Sequence, residues 1–237
     1  MNVHSSPSKW AGVGVYSMPE AARLVGTSTQ TIRRWLLGYR FPTRTGRPGQ
    51  SPPVFSPALA QIEGYRAIGF LDLVELLFVK AFRDEGVTLP TIRRAAKEAA
   101  SRWSATHPFC MRRFATDGRG IFATVIDDAG EEDLLELAKS QLAFKKVLQP
   151  YLKQLQYDED YLVERWWPLG NKRPVCVDPK VCFGRPVVMP IPVPTEVIFE
   201  AVSAEQTLQE VADWYGLPVR CVRAAVEFER HLARKAA

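Results

Sequence analysis

The chain has 237 residues, of which 46% are hydrophobic and 24% are charged, a balance typical of a globular protein with one large core or two to three small ones. No apolar run approaches the ~20 residues that a bilayer span needs, and the first ten residues lack the apolar segment of a signal peptide. The composition therefore argues against a membrane or secreted protein, and we expect a cytoplasmic location.

The sequence predicts no catalytic centre, metal site or cofactor. Its histidines are scattered and its cysteines form no C-x-x-C pair, so the spacing of a zinc site is missing. A dyad of Cys110 with His107 is conceivable, but Pro108 between them favours a loop with an incidental thiol. Carboxylate pairs, nucleophile motifs and phosphate-binding loops of recognisable spacing are also missing. We therefore expect a binding protein and not an enzyme.

The net charge of +5 is distributed unevenly along the chain. Residues 1–60 carry a net charge of +6 with Glu20 as their single acid, whereas residues 126–164 carry −6. The basic N-terminal part favours a nucleic-acid partner, and the acidic middle favours a different partner. A solvated surface of mixed charge explains the middle well enough, but it explains the basic part less well.

The stretch YSMPEAARLVGTSTQTIRRWLL, residues 16–37, predicts two short helices joined by a turn. Ser17 and Glu20 have the spacing of a capping box at the start of the first helix. Gly26 can take the left-handed conformation that ends this helix, and Ser28 is a good N-cap for the second.

The same stretch has the spacing of a helix-turn-helix. Ala22 is small enough for the helix crossing, and Ile32 and Trp35 are the apolar residues six and nine positions after the turn glycine. Another helical hairpin with a charged exterior could share this pattern, but the agreement of four spacings favours DNA binding. The residues predicted to contact base edges and phosphates are Ser28, Thr29, Gln30, Arg33 and Arg34.

The next stretch, GYRFPTRTGRPGQSPPVF, is too rich in glycine and proline to be helical. Short extended pieces at Tyr39–Thr43 and Val54–Phe55 could form a wing, from which Arg40, Arg44 and Arg47 would reach backbone phosphates. A flexible basic linker is the alternative, and either form would add salt-dependent affinity for DNA.

Two more helices are predicted behind the wing, with Thr88 and Pro90 opening the second. Bulky Phe82 occupies the position where these helices would cross, so we interpret the pair as a scaffold and not as a second DNA-reading motif. Their apolar positions are Leu71, Val74, Leu77, Phe78 and Phe82 on the first helix and Ile92, Ala95, Ala96 and Ala99 on the second.

The segments YSMPEAARLVGTSTQTIRRW and GFLDLVELLFVKAFRDEGVTLPTIRRA resemble the MerR-like winged helix. The resemblance implies that the first segment reads DNA and that the second is the helical hairpin behind the wing. MerR-like proteins usually continue into a long antiparallel dimerisation helix, which here would end by SATHPF. We expect a homodimer, but its interface does not follow from the family.

The central part predicts a β-hairpin and then an acidic helix. Two apolar runs, Met111–Ala115 and Ile121–Ile126, flank the turn dipeptide Asp117-Gly118. Helical spacing follows through Leu134, Leu137, Leu142 and Val147. The acids before it could suggest a metal cluster, but solvated loop acids and helix N-terminal acids are favoured because no calcium-loop pattern is present. These acids are Asp127, Asp128, Glu131, Glu132 and Asp133.

The C-terminal part begins with β-rich pieces at Val175–Val177 and Arg185–Met189, after which Thr195 is expected to cap a helix. Further on, the chain repeats the spacing of the first helix-turn-helix. Its outward face differs, because Arg220 and Arg223 lie among apolar residues, and this favours protein contact over DNA contact. The repeated positions are Ala212, Gly216, Val222 and Ala225.

The segments VDPKVCFGRPVV, PIPVPTEVI and TLQEVADWYGLPVRCVRAAVEFE resemble a small domain of unknown function found in many VapB-type antitoxins. The usual G-T-R-I-P of that domain is replaced here by MPIPVP. The order of all the segments is similar to a larger class of VapB antitoxins. This resemblance implies that the chain blocks a PIN-domain ribonuclease and that it represses the operon they share, alone or together with the toxin.

PIN nucleases hold metal with clustered carboxylates, so an inserted arginine could pair with them and displace the ion. Adjacent tryptophans in a strand point opposite ways, so one of the two here could be an interface anchor, although burial of both is equally compatible. The candidate partner-binding residues are Arg165, Trp166, Trp167, Arg173, Arg185, Arg220 and Arg223.

The sequence therefore predicts a mainly α protein with small β elements in three parts. These are a winged helix-turn-helix DNA-binding domain over 1–104, a central hairpin and acidic helical segment over 105–164, and a β-rich lead-in with a trihelical domain over 165–237. The expected function is that of an antitoxin with operator DNA and a ribonuclease as partners. The alternative is an effector-responsive transcriptional regulator without a toxin.

Overall fold

The computed structural model describes residues 12–42, 47–59, 61–62, 65–127, 149–204 and 207–236. Helices dominate and small antiparallel sheets complete the fold, which confirms the predicted α+β class. The helices are α1 Met18–Val25, α2 Thr29–Leu37, α3 Phe70–Asp84, α4 Leu89–Trp103, α5 Arg112–Asp127, α6 Gln149–Leu152, α7 Thr195–Ser203, α8 Leu208–Tyr215 and α9 Val219–Ala236. The strands are β1 Val15–Tyr16, β2 Tyr39–Pro42, β3 Pro48–Ser51, β4 Gln61–Ile62, β5 Tyr65–Arg66, β6 Ile68–Gly69, β7 Leu155–Tyr157, β8 Val163–Trp166, β9 Val175–Val177, β10 Pro186–Val188 and β11 Val193–Pro194.

Some predicted features lie outside the described residues. These are Arg44 of the wing, the acidic run from Asp128 onward and the acidic helix through Leu134 and Val147. Within the described part of the chain, no helix is long and apolar enough to cross a membrane.

The N-terminal unit forms because its helix ends are satisfied locally. Ser17 Oγ accepts the Glu20 N–H at 3.3 Å and the Glu20 carboxylate accepts the Ser17 N–H at 2.7 Å, so the capping box is confirmed. Gly26 ends α1 with φ of 77°, and Ser28 caps α2 by accepting the Thr31 N–H at 3.0 Å. The predicted inward residues Ala22, Ile32 and Trp35 are all buried, which fixes the crossing of the two helices.

The wing is a hairpin of β2 and β3, and the predicted second strand at Val54–Phe55 is wrong. Tyr39 pairs with Ser51 and Pro42 pairs with Pro48, so the second strand lies at Pro48–Ser51. Val54 is buried and its N–H donates to the Trp35 carbonyl at 2.7 Å. That bond ties the chain to the end of α2, and Val54 therefore anchors the wing without belonging to it.

Helices α3 and α4 form the predicted scaffold, and Thr88 Oγ1 caps α4 by accepting the Thr91 N–H at 3.3 Å. The predicted apolar positions of both helices face the core, with Leu71 partly buried and the others buried. An aromatic cluster holds them against α5, with the Phe82 and Phe122 rings stacked at 4.5 Å. The cluster comprises Phe78, Phe82, Phe109, Phe114 and Phe122.

The predicted hairpin about Asp117-Gly118 is wrong, because this region is the helix α5. Phe114 and Phe122 are eight residues apart, so a helix places both on one face, where their rings pack against Phe78 and Phe82 of α3. Ile121 on the same helix is also buried. Interior glycine costs a helix roughly 1 kcal/mol, whereas full burial of one phenylalanine contributes roughly 1.5–3 kcal/mol. Tertiary packing therefore overrides the local turn signal.

Within the described residues, the C-terminal sheet is antiparallel with the strand order β11-β10-β9-β8-β7. The predicted β pieces at Val175–Val177 and Arg185–Met189 contribute β9 and β10 to this sheet. The predicted cap at Thr195 is wrong, since Thr195 is the first residue of α7 and Pro194 precedes it. The Thr195 side chain is buried and donates to Glu229 of α9, so it joins two helices and does not cap one.

The two ends of the chain pack against each other. Arg23 of α1 donates to the carboxylate of Glu229, whose side chain is 2% exposed. The buried Tyr16 hydroxyl donates to the Gly184 carbonyl at 2.7 Å, and Gly184 has φ of 84°. A Cβ at Gly184 would lie 2.4 Å from the Tyr16 hydroxyl oxygen, so glycine is needed at this approach. One hydrophobic core cluster consequently includes residues from both ends of the chain.

Candidate nucleic-acid interface and partner surface

The open face of α2 is polar and basic. Ile32, Trp35 and Leu36 bury the other face of this short helix. The residues left exposed are Ser28, Thr29, Gln30, Arg33 and Arg34, which are those predicted to contact DNA. Hydroxyl, amide and guanidinium groups at the start of a projecting helix can donate to and accept from base edges and phosphates.

The wing lies beside α2 and presents further cations. Gly38 joins α2 to β2 with φ of 71° and ψ of −179°, and a Cβ there would lie 2.5 Å from the Ser51 carbonyl oxygen. The Arg34 guanidinium lies over the Tyr39 ring, 5.2 Å from its centroid. This contact joins the helix to the wing. Arg40 and Arg47 are exposed on the hairpin, as predicted.

The wing is fixed from behind by Arg93 of α4, a residue that no sequence pattern singles out. Its Nη2 donates to Ser51 Oγ at 2.7 Å and its Nε donates to the Pro53 carbonyl at 3.1 Å. Burial lowers the pKa of Arg93. An open groove of about 630 Å³ lies between the wing and α4, and Arg83 and Arg94 also line it. These bonds link positions about forty residues apart, so no local sequence signal indicates them.

Three of the candidate partner-binding arginines form ion pairs within the chain. Arg165 Nε donates to the buried Asp178 carboxylate at 2.6 Å, which raises the pKa of Arg165. Arg173 pairs with the Glu227 carboxylate through two bonds of 2.7 and 2.6 Å. Arg185 Nη1 donates to Glu196 at 2.9 Å in an exposed pair. Each of them would have to exchange its present partner to enter another protein's site.

The paired tryptophans take different positions. Trp166 is 4% exposed and belongs to the core, with its Nε1–H donating to Gln154 at 3.3 Å. Trp167 is half-buried, and its Nε1–H donates to Gln156 at 3.3 Å. Trp167 is therefore the one available as an anchor. Of the remaining candidates, Arg220 and Arg223 are exposed on α9.

The two residues of the conceivable dyad, His107 and Cys110, have different hydrogen-bond partners. His107 Nε2 lies 3.0 Å from an oxygen of the buried Asp72, while Cys110 Sγ donates to the Leu71 carbonyl at 3.3 Å. Burial raises the pKa of the Cys110 thiol well above its usual value, which keeps it protonated. Among the described residues, no group of three or more His, Cys, Asp or Glu side chains could hold a metal ion.

A second buried carboxyl group, that of Glu75, lies next to Phe109. Glu75 of α3 accepts the Phe109 N–H at 2.9 Å, and its second oxygen has no hydrogen-bond partner among the described residues. Burial raises the pKa of Glu75 to about 8. The group is therefore mostly protonated at neutral pH.

Comparison with known proteins agrees with this organisation. Residues 14–96 match a family described as "Putative DNA-binding HTH domain", and residues 175–228 match "Protein of unknown function (DUF433)". The chain is 24% identical over 224 residues to "Putative antitoxin VapB45" of Mycobacterium tuberculosis, covering 91% of this chain and 93% of that protein. The resemblance to VapB-type antitoxins is confirmed by these matches.

The fold also matches a solved structure. The crystal structure of Rv2018 from Mycobacterium tuberculosis aligns with a TM-score of 0.66 at 21% identity, over 89% of this chain and 96% of that chain. This likeness extends over the N-terminal unit, the sheet and the C-terminal helices together, since most of both chains is covered. The arrangement of the two ends around one core is therefore a fold that another chain adopts.

Proposed function

We propose that this chain is an antitoxin that binds operator DNA through α2 and the wing and neutralises a PIN-domain ribonuclease. The observation that carries the proposal is the basic open face of α2 with the wing fixed beside it by Arg93. A helix-turn-helix offers its second helix to the major groove in this way, and wing cations add phosphate contacts. The match of residues 14–96 to a DNA-binding family supports the same assignment.

The toxin half of the proposal is supported by likeness to a protein named as an antitoxin, over nearly the whole of both chains. A chain of this kind needs a surface for its partner apart from the DNA-reading face. Exposure of Arg220 and Arg223 on α9 supports a partner surface on the C-terminal helices. Binding of the operator by the chain, alone or together with the ribonuclease, would repress the operon that they share.

Two assays test the two halves. The PIN-domain ribonuclease that the proposal places in the same operon is expressed with and without the chain, and RNA cleavage and growth are measured. We expect the chain to suppress both cleavage and growth arrest. The upstream DNA of the operon is then titrated with the chain, and we expect binding that exceeds binding to scrambled DNA. Unchanged cleavage would refute the antitoxin half, and equal affinity for both DNAs would refute the operator half.

An effector-responsive regulator is the second candidate, and one cavity favours it. A space of about 290 Å³ lies between the start of α3 and the C-terminal sheet, with Asp72, His107 and Lys180 among its polar lining. This volume is at the lower end for a small-molecule site. A ligand there would bridge the two ends of the chain. Co-purification of a small molecule that changes operator affinity would favour this function over the first.

A further inference from the structure

The C-terminal helix α9 has two faces with different surroundings. One face is buried against the rest of the protein through Val222, Ala225, Phe228 and Leu232. The other face carries residues three and four positions apart that line a groove of about 770 Å³. Because α9 is packed on one side, the groove lies on a helix whose position is fixed.

The groove has an apolar floor. Val226 of α9 is 6% exposed, and half-buried Leu208 of α8 and Leu169 of the loop after β8 lie beside it. An apolar floor favours docking of another apolar surface, because the contact removes apolar area of both surfaces from water. Phosphate backbone binding needs cations but gains nothing from such a floor.

The rim of the groove is basic. Arg223, Arg230 and Arg234 line it and are exposed. Glu227 is the acid among the described lining residues, and its carboxylate is held by two bonds to Arg173. That pairing lowers the pKa of Glu227 and offsets its charge locally. The rim therefore attracts carboxylates.

The spacing of the three rim arginines indicates the length and shape of the partner segment that fits the groove. Arg223 and Arg230 are seven residues apart and Arg234 follows after four, so the three span roughly 16 Å along the helix at 1.5 Å per residue. An amphipathic helix of about three turns fits this length. Its apolar stripe would cover the floor while carboxylates at one-turn and two-turn intervals meet the rim.

We infer that this groove, lined by Leu169, Leu208, Val226, Arg223, Arg230 and Arg234, docks an acid-flanked amphipathic helix of the ribonuclease partner. The inference rests on the proposed function, and it names the surface through which the nuclease is held. The opposite face of α9 keeps its contact with the DNA-reading unit through Glu229 and Arg23. Docking in the groove thus leaves α2 and the wing open for DNA.

The test is charge reversal on the rim, compared with matched reversal elsewhere. The variant is Arg230→Glu with Arg234→Glu, and the control is Lys97→Glu with Arg113→Glu, two exposed cations on α4 and α5. All four substitutions are at exposed positions, and thermal unfolding checks that both proteins fold. The Kd for the neighbouring ribonuclease is measured by calorimetry, operator affinity by fluorescence anisotropy, and mass by light scattering.

We expect the rim variant to raise the Kd for the nuclease roughly thirtyfold while operator affinity stays within a few fold, and the control to change neither. An unchanged Kd would overturn the groove assignment and leave the proposed function standing. If the rim variant keeps its Kd for the nuclease but loses operator binding, the rim binds DNA. If it keeps that Kd but loses self-association, the rim binds a second copy of the chain. If the unaltered chain binds no ribonuclease, the proposed function and the groove assignment both fall.

Discussion

The chain contains two helix-turn-helix units with the same internal geometry. Each begins with a capping box, formed by Ser17 with Glu20 in the first unit and by Thr207 with Glu210 in the second. Each first helix ends at a left-handed glycine, with φ of 77° at Gly26 and 62° at Gly216. Each has a buried alanine at the helix crossing and apolar residues six and nine positions after its glycine.

The outward faces of the two units are different. Helix α2 is nine residues long, exposes an almost wholly polar face and leads into a wing. Helix α9 is eighteen residues long, is buried on one face and lines an apolar groove on the other. The comparison teaches that a few caps and small residues set the geometry of the unit. The residues outside that set decide which partner the unit can bind.

The largest expected effect comes from removing the outward residues of one unit at a time. Thr29→Ala with Arg33→Ala is expected to weaken operator binding roughly a hundredfold, because each base-reading side chain contributes about 1–3 kcal/mol of discrimination. Arg220→Ala with Arg223→Ala removes exposed groups from the second unit, at the positions that correspond to Gln30 and Arg33, and is expected to leave operator affinity nearly unchanged. Fluorescence anisotropy with operator and scrambled DNA measures both. Equal losses in the two variants would show that both units read DNA.

The next prediction compares substitutions of two glycines that end helices, one in each unit. Gly38 lies in a backbone region that is almost exclusive to glycine, and a Cβ would meet the Ser51 carbonyl oxygen. Gly216 is left-handed, but a Cβ there would have no atom within 4 Å. We expect Gly38→Ala to destabilise the fold by roughly 2–4 kcal/mol and Gly216→Ala by roughly 1–2 kcal/mol. Urea unfolding gives both values, and the reverse order would contradict the wing geometry.

A third comparison concerns two buried glutamates, Glu75 on α3 and Glu229 on α9. Native Glu75 keeps its proton up to about pH 8, whereas the unfolded chain loses it near 4.5. The native state therefore binds more protons between these values, and stability falls as pH rises through that window by at most about 1.4 kcal/mol per pH unit. Glu75→Gln is expected to flatten this slope between pH 6 and pH 8.

Glu229→Gln serves as the contrasting variant, because it removes the ion pair with Arg23 and is expected to cost roughly 1–2 kcal/mol. The exposed Glu159→Gln is the control for charge alone. The free energy of unfolding is measured in urea at both pH values. If the slope of Glu75→Gln equals that of the unaltered chain, Glu75 is not the group that titrates.

The smallest effect is expected in the wing of the first unit. Arg40→Ala should weaken binding to all DNA sequences by a similar few-fold factor, since phosphate contacts carry no sequence information. The slope of log affinity against log salt should fall in magnitude by about one. Arg113→Ala, an exposed change away from the wing, is the control. An unchanged salt slope would show that Arg40 does not contact phosphate.

The features that could be predicted from the sequence are those set by residues close in the chain. Both helix-turn-helix units, with their caps and left-handed glycines, depend on spacings of three to ten residues. The division into three domains and the identity of the DNA-contacting residues remain predictions. The α2 side chains named for that role are exposed together, as the prediction requires.

The features that could not be predicted depend on distant partners. Asp117-Gly118 is a good turn signal, yet the fold of this region is decided by aromatic rings on α3. Arg23 and Glu229 are 206 positions apart, and Arg173 and Glu227 are 54 apart, so neither ion pair leaves a local pattern. The predicted position of the second wing strand is wrong for the same reason, because Arg93 and the Trp35 carbonyl fix the wing from other elements.

The central claim is that one chain holds a ribonuclease and operator DNA on different units. The most direct test is a titration of the neighbouring ribonuclease with the purified chain, in which RNA cleavage is followed with and without operator DNA. The account predicts that cleavage is abolished near an equimolar ratio, and that Thr29→Ala with Arg33→Ala inhibits as well as the unaltered chain. Full cleavage in the presence of excess chain would contradict the account.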